Sequence, residues 1–292
     1  MSKMQLYFLR LASIPVIPLA WTGSLAAQCP DHGRLSDRRI EMEPGKPFQA
    51  VRVQTFVWPK VPTADLVVEK VLLVVEKVFR DSSGRLRIER YEVGRIPAQP
   101  EMLRIGPEDF AGNEDAAFEV PSGIPPKFIW LDDPCSLKSY FIDPAKKTAR
   151  FTRITPRNEV PMCQDEGRTK LAQQIADSSV LPSSMEVLGH RQFVGVDAYG
   201  ERSTTYPSVQ DRKTGQEPVF SAEHWCSPEL GVELGRLQHD TKAHHDLKIV
   251  LKRIDRKEAD PKLFTVPGDY QLSEVNPDGT PVITEASDKK NP

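Results

Sequence analysis

Val219-Phe220-Ser221-Ala222-Glu223-His224-Trp225 reads in twos, with Val219, Ser221, Glu223 and Trp225 on one side and Phe220, Ala222 and His224 on the other. That is the period of a strand, in which successive side chains point to opposite faces. Ser227-Pro228-Glu229 then turns the chain, because Pro presets φ at the second position of a tight turn. Leu230, Val232 and Leu234 resume the alternation with Gly231, Glu233 and Gly235 between them, so the two runs are predicted as a hairpin. A polar loop is expected over Gln238 to His244. A third strand follows, in which Leu247, Ile249 and Leu251 alternate with Lys248 and Lys252. One apolar and one wet face is the pattern of an antiparallel sheet.

After that strand the chain runs Asp260-Pro261-Lys262-Leu263-Phe264-Thr265-Val266-Pro267-Gly268-Asp269-Tyr270. Asp260 suits an N-cap and Pro261 a first helical position, so a single turn is predicted to aim Leu263 and Phe264 back at the sheet. Upstream, Phe48 to Trp58 reads as a strand, with Val51, Val53, Thr55 and Val57 on one face. Leu66-Val67-Val68-Glu69-Lys70 recurs seven residues on as Leu73-Val74-Val75-Glu76-Lys77. The heptad offset allows a helix, but the density of Val favours a strand, since β-branched side chains lose χ1 freedom in helices.

Lys77 to Arg90 is a second hairpin around Asp81-Ser82-Ser83-Gly84, a turn in which Gly can take positive φ. Arg80, Arg85, Arg87 and Arg90 are read as a solvated strand face balanced by Glu89 and Glu92, rather than as an anion site. Phe128 to Leu131, Ser139 to Ile142 and Thr148 to Ile154 are short strands separated by Asp132-Asp133-Pro134 and Asp143-Pro144-Ala145-Lys146-Lys147 turns. Asp165 to Ser178 is the best helix, with Leu171, Ala172 and Ile175 as its apolar face. Met185 to His190, Gln192 to Val196 and Ala198 to Tyr206 complete the sheet.

Three of these patterns carry a resemblance. The W-x-S-P-E-L hairpin at 225–230 with D-P-x-L-F-x-V-P-x-x-Y at 260–270, the K-V-x-R-D-x-x-G-R-x-R-x-E run at 77–89, and I-x-x-x-D-P followed by D-P-x-x-x-T-A at 129–149 resemble a group of uncharacterised secreted proteins of Gram-negative soil bacteria. That group is distantly similar to the periplasmic lipoprotein-carrier (LolA/LolB-like) fold. The resemblance implies a strongly curved antiparallel sheet or half-barrel with one or two covering helices, and so a mainly β, β-rich α+β class. It covers most of the mature chain in separated pieces, and residues 94–127 and 155–182 depart from it as irregular insertions.

Residues 1–27 have the plan of a secretory leader: Lys3 and Arg10, an apolar stretch from Leu11 to Trp21, and a small-residue cleavage site at Leu25-Ala26-Ala27. The stretch is too short to span a bilayer. Export to the periplasm or medium with cleavage near Ala27 is therefore expected, leaving no membrane-spanning segment. Gln28 before Cys29 does not suit a lipidation box. Cleavage removes two positive and no negative charges, taking the net charge from −2 to −4. A chain with that balance and no Lys/Arg block lacks the footprint of a nucleic-acid binder. The remaining organisation is an N-terminal arm at 28–47, one curved-sheet domain at 48–272 and a disordered polar tail at 273–292.

Cys29, Cys135, Cys163 and Cys226 make an even set in an oxidising compartment and are read as disulfide partners, with three pairings open. No nucleophile elbow, phosphate loop or paired zinc motif occurs. His239, His244 and His245, with Asp240 and Asp246 beside them and His224 one strand away, are the only candidate metal ligands. Their place in a predicted polar loop explains them equally well. Asp132, Asp133 and Asp143 belong to turns rather than to a hydrolytic carboxylate pair. The chain is thus read as a binding protein rather than an enzyme, with no cofactor. The expected ligand is apolar, a lipid or lipoprotein acyl chain held on the sheet. An envelope protein-interaction or sensor module is the alternative, and a metal-dependent hydrolase built on the His cluster is third.

Overall fold

The computed structural model describes residues 36–37, 40–42, 44–58, 70–97, 123–154, 163, 165–242 and 245–282. Its strands are β1 (Ser36–Asp37), β2 (Ile40–Glu41), β3 (Phe48–Trp58), β4 (Lys70–Arg80), β5 (Leu86–Pro97), β6 (Phe128–Asp133), β7 (Lys138–Asp143) and β8 (Thr148–Arg153). Helix α1 (Asp165–Asp177) separates these from β9 (Ser183–Phe193) and β10 (Val196–Thr205). Helix α2 (Val209–Thr214) then precedes β11 (Phe220–Ser227), β12 (Val232–Asp240), β13 (His245–Asp255) and β14 (Gln271–Glu274).

The protein is mainly β, as expected, and its strands form one curved, open sheet in the order β14-β8-β7-β6-β5-β4-β3-β13-β12-β11-β10-β9. Each of two meanders, β3 to β8 and β9 to β13, pairs strand with next strand. The long-range pairing of β3 with β13 joins them. All these pairs are antiparallel, and only β14 joins in parallel, on β8. The strand reading of the Val-rich repeat holds for its second copy, which lies in β4, while residues 66–69 fall outside the described residues. Gly84 takes φ 81° at the turn between β4 and β5, where Asp81 Oδ1 accepts from the backbone N–H groups of Ser83 and Arg85.

The single turn after β13 forms as predicted over Pro261–Phe264, with Asp260 Oδ1 accepting from Lys262 N at 2.9 Å. Phe264 is buried against Ile129, Leu131, Ile142 and Ala149, closing the face of β6 to β8 that these side chains share. Arg87 Nη1 donates to Leu263 O at 2.7 Å and pins the turn to β5.

Helix α1 packs on β9, at the sheet's edge. It carries no basic residue in its last turn, and Arg212 of α2 supplies one instead. Its guanidinium donates to the carbonyls of Ala176, Ser178 and Leu181 at 2.9 to 3.0 Å, meeting the unsatisfied acceptors and negative end of the helix.

Three expectations change. The loop at 238–244 is shorter, because β12 runs on to Asp240 and pairs His239 with Asp246 across β13. The three pieces expected between Met185 and Tyr206 are two strands joined by a turn at Val194-Gly195, so Gln192 and Phe193 end one strand and Val196 starts the next. Finally, the chain does not leave the sheet at Ser273. Ser273 and Glu274 lie in β14, and Val275 bridges Pro281 beyond it. The ion pair Arg153–Glu274 fastens β14 to β8, and Lys147–Asp269 ties the residues just before each of these strands together, both at 2.8 Å; composition alone does not register such pairs.

Candidate functional site

Strands in a sheet lie about 4.8 Å apart, so in a flat sheet β6 and β12, five steps apart, would be separated by about 24 Å. Here Trp130 of β6 and Glu233 of β12 line the same cavity of about 340 Å³. The sheet therefore curls, and this cavity lies on its concave face.

The floor of the cavity is built by register. Arg52, Glu76 and Arg90 stand directly opposite one another on β3, β4 and β5, an acid between two guanidiniums. Arg236, Ile249 and Gln54 form a parallel row across β12, β13 and β3. Ile88, Trp130, Leu247 and Ile249 supply the apolar wall.

The charges are held tightly. Arg52 Nε and Nη2 donate to Glu76 Oε2 at 2.8 and 2.6 Å, and both side chains are almost fully buried. Arg236 donates through Nε and Nη2 to the two oxygens of Glu233 at 2.8 and 2.7 Å. His224 Nδ1 lies 3.0 Å from Glu233 Oε1. Buried charges are tolerated only when paired in this way. Arg90 differs, for its Nη1 reaches Glu76 Oε1 only at 4.0 Å. Three guanidiniums thus face two carboxylates around one cavity.

Outward from this floor, Arg90 stands opposite Phe128. The Phe128, Trp130 and Phe141 rings follow, with centroids 5.1 to 6.4 Å apart, all half-buried. They form an aromatic shelf continuous with the cavity wall through Trp130.

The arginines of the 77–90 hairpin do not form a solvated face. Arg80 is fully buried, its Nε donating to Lys46 O at 2.8 Å and its guanidinium stacked 4.6 Å from the Phe48 centroid. Arg87 is buried against Glu89, whose other oxygen accepts from Tyr91 at 2.6 Å. Burial and that bond to Glu89 push the Tyr91 hydroxyl well above its ordinary pKa. Arg85 pairs with Asp81. Alternation of charge marks a wet face only while the other side of the sheet is the core, and here the curl buries parts of both sides.

Among the other sequence candidates, His239 Nδ1 meets Asp246 Oδ1 at 2.5 Å on an exposed pair of strand ends. His244 and the side chain of His245 lie outside the described residues. His224 points to the cavity face and His239 to the other, since the register puts them in opposite phase. Among the described residues no three His, Cys, Asp or Glu side chains gather as metal ligands. Asp133 accepts from the N–H groups of Cys135 and Ser136, Asp143 from that of Lys146, and Asp132 from the Ser139 hydroxyl, all serving turns and strand ends. Cys163 and Cys226 form a disulfide joining the segment before α1 to β11. Cys135 is disulfide-bonded as well, and Cys29 lies outside the described residues.

Sequence reading missed Arg52, Glu76, Glu233 and Arg236 as site residues. The available signal was a charge or amide on the apolar phase of a strand, as Arg52 and Gln54 are in β3 once that phase is known to be buried.

No protein-family model and no curated protein matches the sequence. Among solved structures the protein is similar to an uncharacterised conserved protein from Thermus thermophilus, at 11% identity over 79% of this chain and 91% of that one, with a TM-score of 0.37. It is also similar to MucB (10% identity, 78% and 60% of the two chains, TM-score 0.32). A third is a putative outer membrane lipoprotein-sorting protein domain from Vibrio parahaemolyticus (8%, 76% and 91%, TM-score 0.25). At identities and TM-scores this low, nothing about this chain's ligand or partner follows.

Proposed function

We propose that the protein is a non-catalytic binding protein of the bacterial envelope that holds a lipid or acyl chain on the concave face of its sheet. The observation carrying this reading is the half-open cavity of about 340 Å³, within the size range of small-molecule sites, whose apolar wall runs onto the Phe128–Trp130–Phe141 shelf. An aromatic shelf left half-exposed beside a buried charged floor is surface for an elongated apolar group. Export is supported by the leader at 1–27 and by the Cys163–Cys226 disulfide, a bond favoured outside the reducing cytosol. Among the described residues no helix is long and apolar enough to cross a membrane.

Native mass spectrometry of protein purified from the periplasm tests this reading, run before and after mild organic extraction. A co-purifying mass in the lipid range that is lost on extraction is expected. A bare polypeptide that also fails to take up an added fatty acid would refute it.

A second reading, docking of an envelope protein, is favoured by a different observation. Four of the eight exposed large apolar residues described, Leu171, Val180, Leu181 and Val187, lie between α1 and the middle of edge strand β9. Exposed apolar residues gathered in this way mark interaction sites. Replacing Val180 and Leu181 with Ser abolishes co-purification of a partner if that reading is right, and leaves ligand uptake intact.

A further inference from the structure

Resting on the proposed lipid-binding reading, we infer that the cavity selects an amphiphile with a singly charged carboxylate head, a free fatty acid, and that Arg90 is its anchor. The argument begins with the unequal use of the three cavity arginines. Arg52 spends two donors on Glu76, and Arg236 grips Glu233 with two. Arg90 has, among the described residues, one charged partner at 4.0 Å, beyond hydrogen-bonding reach. Its side chain keeps 24% of its exposure, so the guanidinium is partly open to the cavity and its donors remain available to an incoming acceptor. An ionised oxygen placed there forms a charge-assisted bond.

Three further features narrow the ligand. Balance comes first: three guanidiniums against two carboxylates leave one positive charge, which a carboxylate cancels and a doubly charged phosphate monoester overshoots. Shape follows, since the planar guanidinium fork matches the two oxygens of a carboxylate. The third feature is position. Arg90 stands directly opposite Phe128, so a head at Arg90 places its chain on the aromatic shelf or against Ile88, Leu247 and Ile249. A cavity of about 340 Å³ is also scant for a lipid with two acyl chains.

The test is calorimetric titration at neutral pH with decanoate, decanol and decyl phosphate, all below their aggregation limits, into the wild type, Arg90→Met and Arg90→Lys. A charge-assisted bond predicts about tenfold tighter binding of decanoate than of decanol to the wild type. Arg90→Met abolishes that preference while decanol binds as before, and Arg90→Lys keeps part of it. Equal affinities for decanoate and decanol, or a preference that survives Arg90→Met, overturn the anchor while leaving the lipid reading standing. Tighter binding of decyl phosphate than of decanoate overturns the carboxylate assignment. Failure of all three ligands to bind overturns both readings together. Thermal melts of each variant separate loss of binding from loss of fold.

Discussion

The two faces of this sheet solve the same problem in opposite ways. On the outer face the sheet is closed by apolar plugs: Phe264 over β6 to β8, and Trp225 lying across Gly200 of β10, with its indole N–H held by Glu223 at 2.8 Å. On the inner face at the same level the chain places Arg52, Glu76, Arg90, Glu233 and Arg236, and leaves a cavity above them. A filled face contributes stability and offers nothing to a ligand. A face of paired buried charges contributes little net stability, because desolvation offsets attraction, and what it keeps is a shaped, polar-floored space. Away from the cavity the inner face is itself packed, for Phe48, Ala50, Val78 and Ile88 share the strand phases of Arg52, Glu76 and Arg90, so the charged floor is a polar opening in a largely apolar face.

The largest expected effect breaks the filled face. Phe264→Ala removes a buried ring and should cost about 4 kcal/mol in denaturant unfolding, with little change in intrinsic ligand affinity where the protein stays folded. Glu76→Gln attacks the other face by stranding the Arg52 guanidinium, whose side chain is 6% exposed. Loss of one partner of a buried pair should cost about 3 kcal/mol. If urea titration instead finds Glu76→Gln nearly neutral, the floor is wetter than its burial indicates.

Gly200→Ala should cost about 2 kcal/mol through overpacking, because an added Cβ would sit 2.5 Å from Trp225 Cζ3. The paired substitution Gly200→Ala with Trp225→Leu should recover part of the loss, and failure to recover would mean that the ring is not the obstacle. Arg90→Met sharpens the contrast from the binding side. Its melting should stay within about 0.5 kcal/mol of the wild type, since no close bond is lost.

The smallest effect concerns the sheet's β14 edge. The hydrogen bond from Lys147 holds the Asp269 carboxyl below its ordinary value and raises the Lys147 ammonium above its own. A depressed carboxyl stabilises above its unfolded pKa and loses that contribution as pH falls through the folded one, so the pair should weaken only below about pH 4. Hydrogen exchange at Gln271–Glu274, corrected for intrinsic rates, should show protection that is flat near neutrality and falls in acid. Lys147→Met should flatten the acid response.

Much of the architecture was legible from local pattern. The run from Phe48 to Trp58, the Asp81–Gly84 turn, the three short strands between Phe128 and Ile154, helix α1 and the Asp260-Pro261 turn all follow from the period of two, turn chemistry or capping, which act within a few residues. The candidate site was not legible. Arg80 and Arg87 carry the same alternating signature as a wet face, and both are buried, because neighbours far away in sequence cover them.

By itself, then, the sequence determined that the chain forms antiparallel strands, where most of them turn, and that a Phe is aimed back at the sheet. Only the tertiary structure decided that β3 joins β13, that the sheet curls, and that Arg52, Glu76 and Arg90 meet Glu233 and Arg236 across one cavity. The reason is physical. Periodicity records which side chains share a face, whereas the long-range pairing and the curl determine which face becomes concave, and neither is encoded in any short stretch of residues.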